Sequence, residues 1–291
     1  MKIPSMTIIG LGALGKALAR SFKKYNIPLK SVFNRSAEGL GSDFVNQDII
    51  VGSPLPKSSK QLGKIVFITV PDDAIENIAQ SLSMLSKDLS DTTFVHCSGN
   101  ESADILVSLK HCGAHIASMH PLQTFNDDSG PEAFKEIYLS LQGDSETHMD
   151  LKRIARQLGG EPIVINSEQK AYLHASAVMA SNYLMTLFDD ATQVPVLSGM
   201  DKNNVKEMMQ PLVMKTIKNI IDKPYDSVMS GPIARADTGT IKRHLALLSE
   251  EPPLKQEYCQ MGQRTISKAL RIGVISESNA KRLRKVFDGE E

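Results

Sequence analysis

The chain has 291 residues, 41% hydrophobic and 23% charged, which is enough for two cores of ordinary size and too apolar for a disordered protein. Lysine plus arginine and aspartate plus glutamate both number 33, so no net charge favours nucleic acid or an anionic membrane surface. Cys97, Cys112 and Cys259 lack the spacing of a zinc site, no apolar run approaches the roughly 18 residues of a membrane span, and no signal peptide is legible. These features predict a cytoplasmic protein with free thiols and no bound metal.

In chain order, β-branched runs at residues 6–9, 31–34, 48–51, 64–70 and 92–96 alternate with helical stretches at 13–24, 73–85 and 103–111. That alternation predicts a doubly wound parallel sheet with helices on both faces, an α/β Rossmann arrangement. Further strand-like runs at 114–119, 137–142 and 162–165, with a helix at 146–158, carry this domain to residue 166. From 167 onward the periodicity is helical throughout, with helices expected at 171–188, 204–221, 238–248, 253–270 and 276–286. The expectation is a Rossmann domain over 1–166 and an all-α domain over 167–291. The basic run at 281–285 reads as a helix end whose charges complement the dipole.

Between the first strand and first helix stands Gly10-Leu11-Gly12-Ala13-Leu14-Gly15, a GxGxxG turn in the context that motif requires. Gly10 allows the tight turn, Gly12 lets a pyrophosphate approach the backbone, and Gly15 lets helix and strand pack closely. Free N–H groups at the helix start then face the phosphates. After the second strand comes Asn34-Arg35-Ser36, with no carboxylate to take a ribose diol. A cation there accommodates a 2′-phosphate, so the cofactor predicted is NADP. Val70-Pro71-Asp72 and the stretch His96 to Gly99, with Ser98, end further strands, where ligands collect in such folds; an aspartate after Pro71 can also cap the next helix.

Candidate proton-transfer groups are His96 and His120, at the ends of the fifth and sixth strands, and Lys170 with His174, four residues apart on one helical face. Asn182 lies further round that predicted helix. The loop at 230–240 offers Arg235 as a carboxylate clamp and Asp237 or Thr238 as a helix cap.

The glycine turn, His96-Cys97-Ser98-Gly99, His120-Pro121-Leu122-Gln123-Thr124-Phe125, the segment 172–184 with His174 and Asn182, and Gly231-Pro232 with Arg235 and Asp237 together resemble a known family. It is the Rossmann-like group with a C-terminal helical domain of unassigned function, described as NADP-dependent oxidoreductases. That group is similar in turn to pyrroline-5-carboxylate reductase, prephenate dehydrogenase, ketopantoate reductase and the hydroxyisobutyrate dehydrogenases, in the 6-phosphogluconate dehydrogenase C-terminal-like superfamily. The resemblance implies a site between the domains and a homodimer formed through the helical one. His120-Pro121 is similar to the His-Pro of prephenate dehydrogenases, but Leu122-Gln123 replaces the usual Ala-Gly; Lys170 is similar to the hydroxyisobutyrate dehydrogenase lysine, but His174 replaces the asparagine one turn on.

The reaction expected is hydride transfer between NADP(H) and a small carbonyl, imine or hydroxy substrate bearing a carboxylate. Lys170, His174 and His120 would move the proton, and Arg235 and Asn182 would position the substrate. A non-catalytic sensor of NADP redox state and a deazaflavin-coenzyme-dependent NADP reductase are the alternatives.

Overall fold

Runs such as Ile65–Ile68 are apolar at every position because both faces of the sheet are covered. In the computed structural model, which describes residues 3–35 and 49–289, Phe67 and Val95 point into one core with Phe22 and Leu151. Their neighbours Val66 and Phe94 point into the other, with Ile75 and Leu106. The period of two in the strands thus divides one sheet between two hydrophobic layers.

The elements run β1 (Met6–Ile9), α1 (Ala13–Lys24), β2 (Leu29–Phe33), β3 (Ile50–Gly52), β4 (Ile65–Ile68), α2 (Asp72–Ser83) and β5 (Thr93–His96). A 3₁₀ turn, Ala103–Leu106, leads into the short α3 (Val107–Lys110), and β6 (His115–Pro121), β7 (Tyr138–Gly143), α4 (His148–Gln157) and β8 (Glu161–Val164) follow. The eight strands lie in the order β3-β2-β1-β4-β5-β6-β7-β8, the doubly wound Rossmann order with two strands added at one edge. Every neighbouring pair is parallel except β6 and β7. No helix links these two, so the chain can return alongside itself. Their connection is held on α1, where Lys16 pairs with Asp127 at 2.8 Å and Arg20 donates to the carbonyls of Asp127 and Ser129.

Helix α5 (Ser167–Ala180) starts before the predicted residue 171. Asn166 Oδ1 accepts from Gln169 N–H while Gln169 Oε1 accepts from Asn166 N–H, a reciprocal capping box. The single helix expected over 171–188 is broken at Ser181, which has φ −119° and ψ −69°. Chain contacts divide the protein into two compact units, Met1–Ala180 and Ser181–Glu291, so α5 belongs with the sheet.

The second unit comprises α6 (Asn182–Val196), α7 (Lys202–Asp222), the single turn α8 (Tyr225–Val228), α9 (Thr238–Leu247), α10 (Pro252–Arg271) and α11 (Glu277–Asp288). Ile241, Ile266, Leu283 and Phe287 build its core from α9, α10 and α11. Asp237 caps α9 by accepting from Thr240 N–H. By contrast α6 and α7 bury only Thr192 and Val205, and leave Met185, Met208 and Leu212 more than 60% exposed. No helix among the described residues is long and apolar enough to cross a membrane.

Candidate functional site

At the carboxyl end of β1 the chain must turn into α1 without room for a Cβ. Gly10 takes φ +98°, and a Cβ there would lie 2.8 Å from the Thr69 carbonyl oxygen. A Cβ on Gly15 would collide with the Gly10 carbonyl oxygen and approach Thr69 Oγ1 to 2.8 Å, and that hydroxyl already donates to Gly10 O at 2.6 Å. These two glycines therefore serve helix–strand packing. Gly12 differs: it caps α1 in an extended conformation, φ −68° and ψ −172°, and a Cβ there would meet nothing within 4 Å. Helix α1 has no side-chain cap and no acidic residue in its first turn, so its leading N–H groups face open space.

That space is a crevice of 390 Å³ within the first unit. Gly12, Ala13 and Leu14 form one wall, and Val70, Pro71 and Asp72, between β4 and α2, form the next. Ser98 and Gly99 enter from the end of β5, His120 and Gln123 from β6 and beyond, and His174 from α5.

Asp72 does not cap α2, as its sequence position had suggested. Pro71 occupies the cap position and Asp72 is the first helical residue. Its Oδ2 accepts from Ser98 Oγ at 2.7 Å, tying the β4 and β5 strand ends together. Ser98 Oγ in turn accepts from the backbone N–H groups of Asn100 and Glu101. Ser98→Ala would strand both donors and is expected to destabilise the protein by about 1–2 kcal/mol, measured as a lowered midpoint of thermal unfolding.

His96, wholly buried, organises the same loop. Its Nδ1 accepts from Ser98 N–H at 3.2 Å and its Nε2 donates to Ser102 O at 3.1 Å, so both ends of the turn are held by one neutral ring. Burial, with the Lys170 charge, lowers its pKa to about 3. His96 is thus spent on structure and does not line the crevice.

Lys170 is also buried, 1% exposed, and its Nζ donates to the Ser98 carbonyl at 2.6 Å. It lies behind the crevice wall and is absent from its lining. Burial lowers its pKa to about 8, partly offset by the carboxylates of Asp72 and Glu101. The same burial raises the Cys97 thiol to about 12, which leaves it un-ionised.

The groups that do face the reacting space are two imidazoles. His120 and His174 stand edge to face with ring centroids 5.8 Å apart, and both crowd Gly99, where a Cβ would lie 2.8 Å from His120 Nε2 and closer still to His174 Nδ1. Burial, Lys170 and His174 lower His120 to about pKa 4, so it is neutral at physiological pH. His174 Nδ1 is buried with no hydrogen-bond partner among the described residues. The two imidazoles can offer a proton donor and a lone pair to a polar atom placed between Gly99 and Gln123.

The remaining candidates are elsewhere. Asn34 Oδ1 accepts from Leu11 N–H at 3.1 Å, which fixes the glycine turn to the end of β2. Arg35 is exposed, with its carbonyl accepting from Ser53 Oγ, and Ser36 lies outside the described residues. Asn182, on the first turn of α6, and Arg235, before α9, are exposed residues of the second unit. The structure adds Thr69 to the crevice wall and brings in Gly99, Gln123 and Phe125 from the motifs at 96–99 and 120–125. The position of Gly99 directly after a strand end was the available signal for it; Thr69 carried none.

A family model described as a domain of unknown function, DUF2520, matches residues 137–265. No curated protein matches the sequence. Among solved structures, a Bacteroides fragilis protein described as an NADP oxidoreductase is similar at 21% identity, with TM-score 0.71, covering 88% of this chain and 95% of that one. An Aspergillus terreus reductive aminase in complex with NADPH and ethyl levulinate is similar at 18% identity, TM-score 0.61, over 97% and 99% of the two chains. A Plasmodium falciparum pyrroline carboxylate reductase with NADP bound gives 14%, 0.58, and 99% of both. The match to the DUF2520 model thus spans residues 137–265, and the chain shares a Rossmann fold with a helical C-terminal region with these solved structures.

Proposed function

We propose that this protein is an NADP(H)-dependent oxidoreductase that reduces a small carbonyl or imine compound, or oxidises the corresponding alcohol or amine. The observation that carries this reading is the open backbone at Gly12, at the head of a crevice that ends on His120 and His174. Fit of the dinucleotide is supported by the free N–H groups of α1 and by the lack of any side chain over Gly12. NADPH, when bound, supplies the hydride.

The chain's own part is to hold the reacting oxygen or nitrogen and to move one proton. His120 and His174 contact that atom, one donating N–H to it and the other free to relay the proton. Lys170 acts through its surroundings: its ammonium, fixed under Ser98, helps keep His120 neutral and stabilises negative charge developing in the crevice. Asn182 and Arg235 remain the proposed substrate-positioning pair, Arg235 for a carboxylate. The apolar surface left open on α6 and α7 supports a homodimer formed through the helical unit, and three unpaired cysteines suit a reducing cytoplasm.

Titration with NADPH and NADH, followed through nicotinamide fluorescence, tests the cofactor, and a screen of keto acids and imines with NADPH, and of hydroxy acids with NADP+, tests the reaction. Equal affinity for the two cofactors together with no turnover would overturn the proposal. Arg35→Ala is expected to weaken NADPH binding by about tenfold or more and to leave NADH within about twofold, because only the 2′-phosphate contact is lost. An unchanged ratio of affinities would remove Arg35 from the site.

A further inference from the structure

Gln123 reaches the crevice just beyond β6. One terminal atom of its side-chain amide lies 2.9 Å from the backbone nitrogen of Thr124 and 3.4 Å from the Thr124 hydroxyl. A backbone N–H can only donate, so that atom is the amide oxygen. The oxygen is therefore spent on Thr124, and the –NH₂ end keeps both its donors; among the described residues nothing accepts from it. His174 adds another donor. Its Nδ1 is buried against Gly99 with no partner among the described residues, so a hydrogen there would meet no acceptor. In a neutral ring the proton then sits on Nε2, and a doubly protonated ring carries one there too.

The field at this end of the crevice has the same sign. The buried Lys170 ammonium donates to the Ser98 carbonyl at 2.6 Å, one residue before Gly99. Among the described residues Asp72 is the only carboxylate on the crevice wall, beside Val70 and Pro71, with its Oδ2 taken by Ser98. The charges acting on His120 are those of Lys170 and His174, with no carboxylate among them. A carbonyl oxygen suits such a place: it only accepts, and it gains negative charge as hydride adds to its carbon. An imine is reduced as its iminium, a cation whose N–H needs an acceptor. Against Gln123 and His174 that N–H meets donors, and Lys170 repels its charge.

We propose, resting on the oxidoreductase reading above, that the crevice takes a carbonyl compound in preference to an imine, and that Gln123 is the residue that selects it, donating N–H to the carbonyl oxygen alongside the His174 imidazole. In the reduction the carbonyl carbon gains a hydride from NADPH and the C=O π pair moves to oxygen. That oxygen takes one proton, relayed from solvent through the imidazole pair, which ends as it began; the products are the alcohol and NADP+.

Acetate and acetamidinium test this on the full-length protein at neutral pH without cofactor, because the two ions share one planar shape and have opposite hydrogen-bonding character. The ring resonances of His120 and His174, followed by NMR, report binding at this end of the crevice. Acetate is expected to bind about tenfold or more tighter than acetamidinium. Gln123→Glu keeps an oxygen for Thr124 and turns an acceptor to the crevice, so it is expected to reverse that order. Gln123→Met is expected to weaken acetate by about fivefold or more. Both variants should unfold at the wild-type midpoint, since residue 123 is exposed. Equal affinities, no response of either ring to acetate, or an order unchanged in Gln123→Glu would overturn the inference. Turnover of a cyclic imine with NADPH, without turnover of any ketone or keto acid, would overturn it while upholding the oxidoreductase reading. Failure to bind NADPH would remove that reading and this inference with it.

Discussion

Gly12→Ala is expected to fold with stability within about 1 kcal/mol of wild type and to lose NADPH affinity by at least about tenfold, whereas Gly15→Ala is expected not to fold stably. The two positions belong to one motif, yet they are glycine for unrelated reasons. At Gly12 the backbone is in an extended conformation that any residue adopts, and the added methyl meets no protein atom within 4 Å. Folding therefore places no demand for glycine there, and the demand falls to whatever occupies the crevice. A methyl at that point holds a pyrophosphate away from the N–H groups of α1, lengthening several charge-assisted hydrogen bonds at once. At Gly15 the added methyl strikes the carbonyl oxygen of Gly10, which is backbone and is already fixed by Thr69 Oγ1. Relief requires α1 to move off the sheet, which opens the core around Leu18 and Phe22. Thermal unfolding and nicotinamide fluorescence on both variants separate the two effects. Wild-type NADPH affinity in Gly12→Ala would remove the dinucleotide from this turn.

Residues that act along the chain were legible in the sequence; those that act across it were not. Helix α1 is found at the predicted residues 13–24, and every predicted strand is present to within a few residues, because local runs such as Ile65–Ile68 record burial on both faces. The capping box of Asn166 and Gln169 was also written locally, and the start of α5 could have been read from it. The break at Ser181 had no such mark, since an Ala- and Met-rich stretch continues through it without proline or glycine. Asp72 looked like a cap because its partner, Ser98, stands 26 residues away in sequence. Lys170 and His174 share a helical face, as their spacing of four implies, but the lysine turns under Ser98 and only the histidine reaches the crevice. The meeting of His120 and His174 over Gly99 depends on β6 and α5 converging on the end of β5, a relation no spacing encodes.

Lys170→Met is expected to leave stability at pH 7 unchanged or raised by up to about 2 kcal/mol while lowering turnover by about a hundredfold. In the unfolded chain the lysine titrates at 10.5, and in the fold at about 8. Between those values the unfolded chain binds more protons, so wild-type stability rises with pH across this window. Below pH 8 the folded protein carries the whole penalty, on the order of 3 kcal/mol. Methionine fills nearly the same volume without the charge and removes that penalty, but the Ser98 carbonyl then loses its donor, which costs about 1–3 kcal/mol. The advantage of the variant should shrink as pH rises from 8 toward 10.5, where the wild-type lysine is neutral in both states. The loss of turnover has a different origin. Lys170 is, after burial, the largest influence holding His120 at about pKa 4, so its removal should let the His120 titration move up toward 6.5. Imidazole proton shifts followed by NMR from pH 3 to 8 measure this directly, with His120→Asn identifying the resonance, and need no substrate. A His120 titration unmoved in Lys170→Met would confine the lysine to structure. An upward shift with stability retained, together with slower NADPH turnover, would assign to its buried charge the task of keeping His120 neutral.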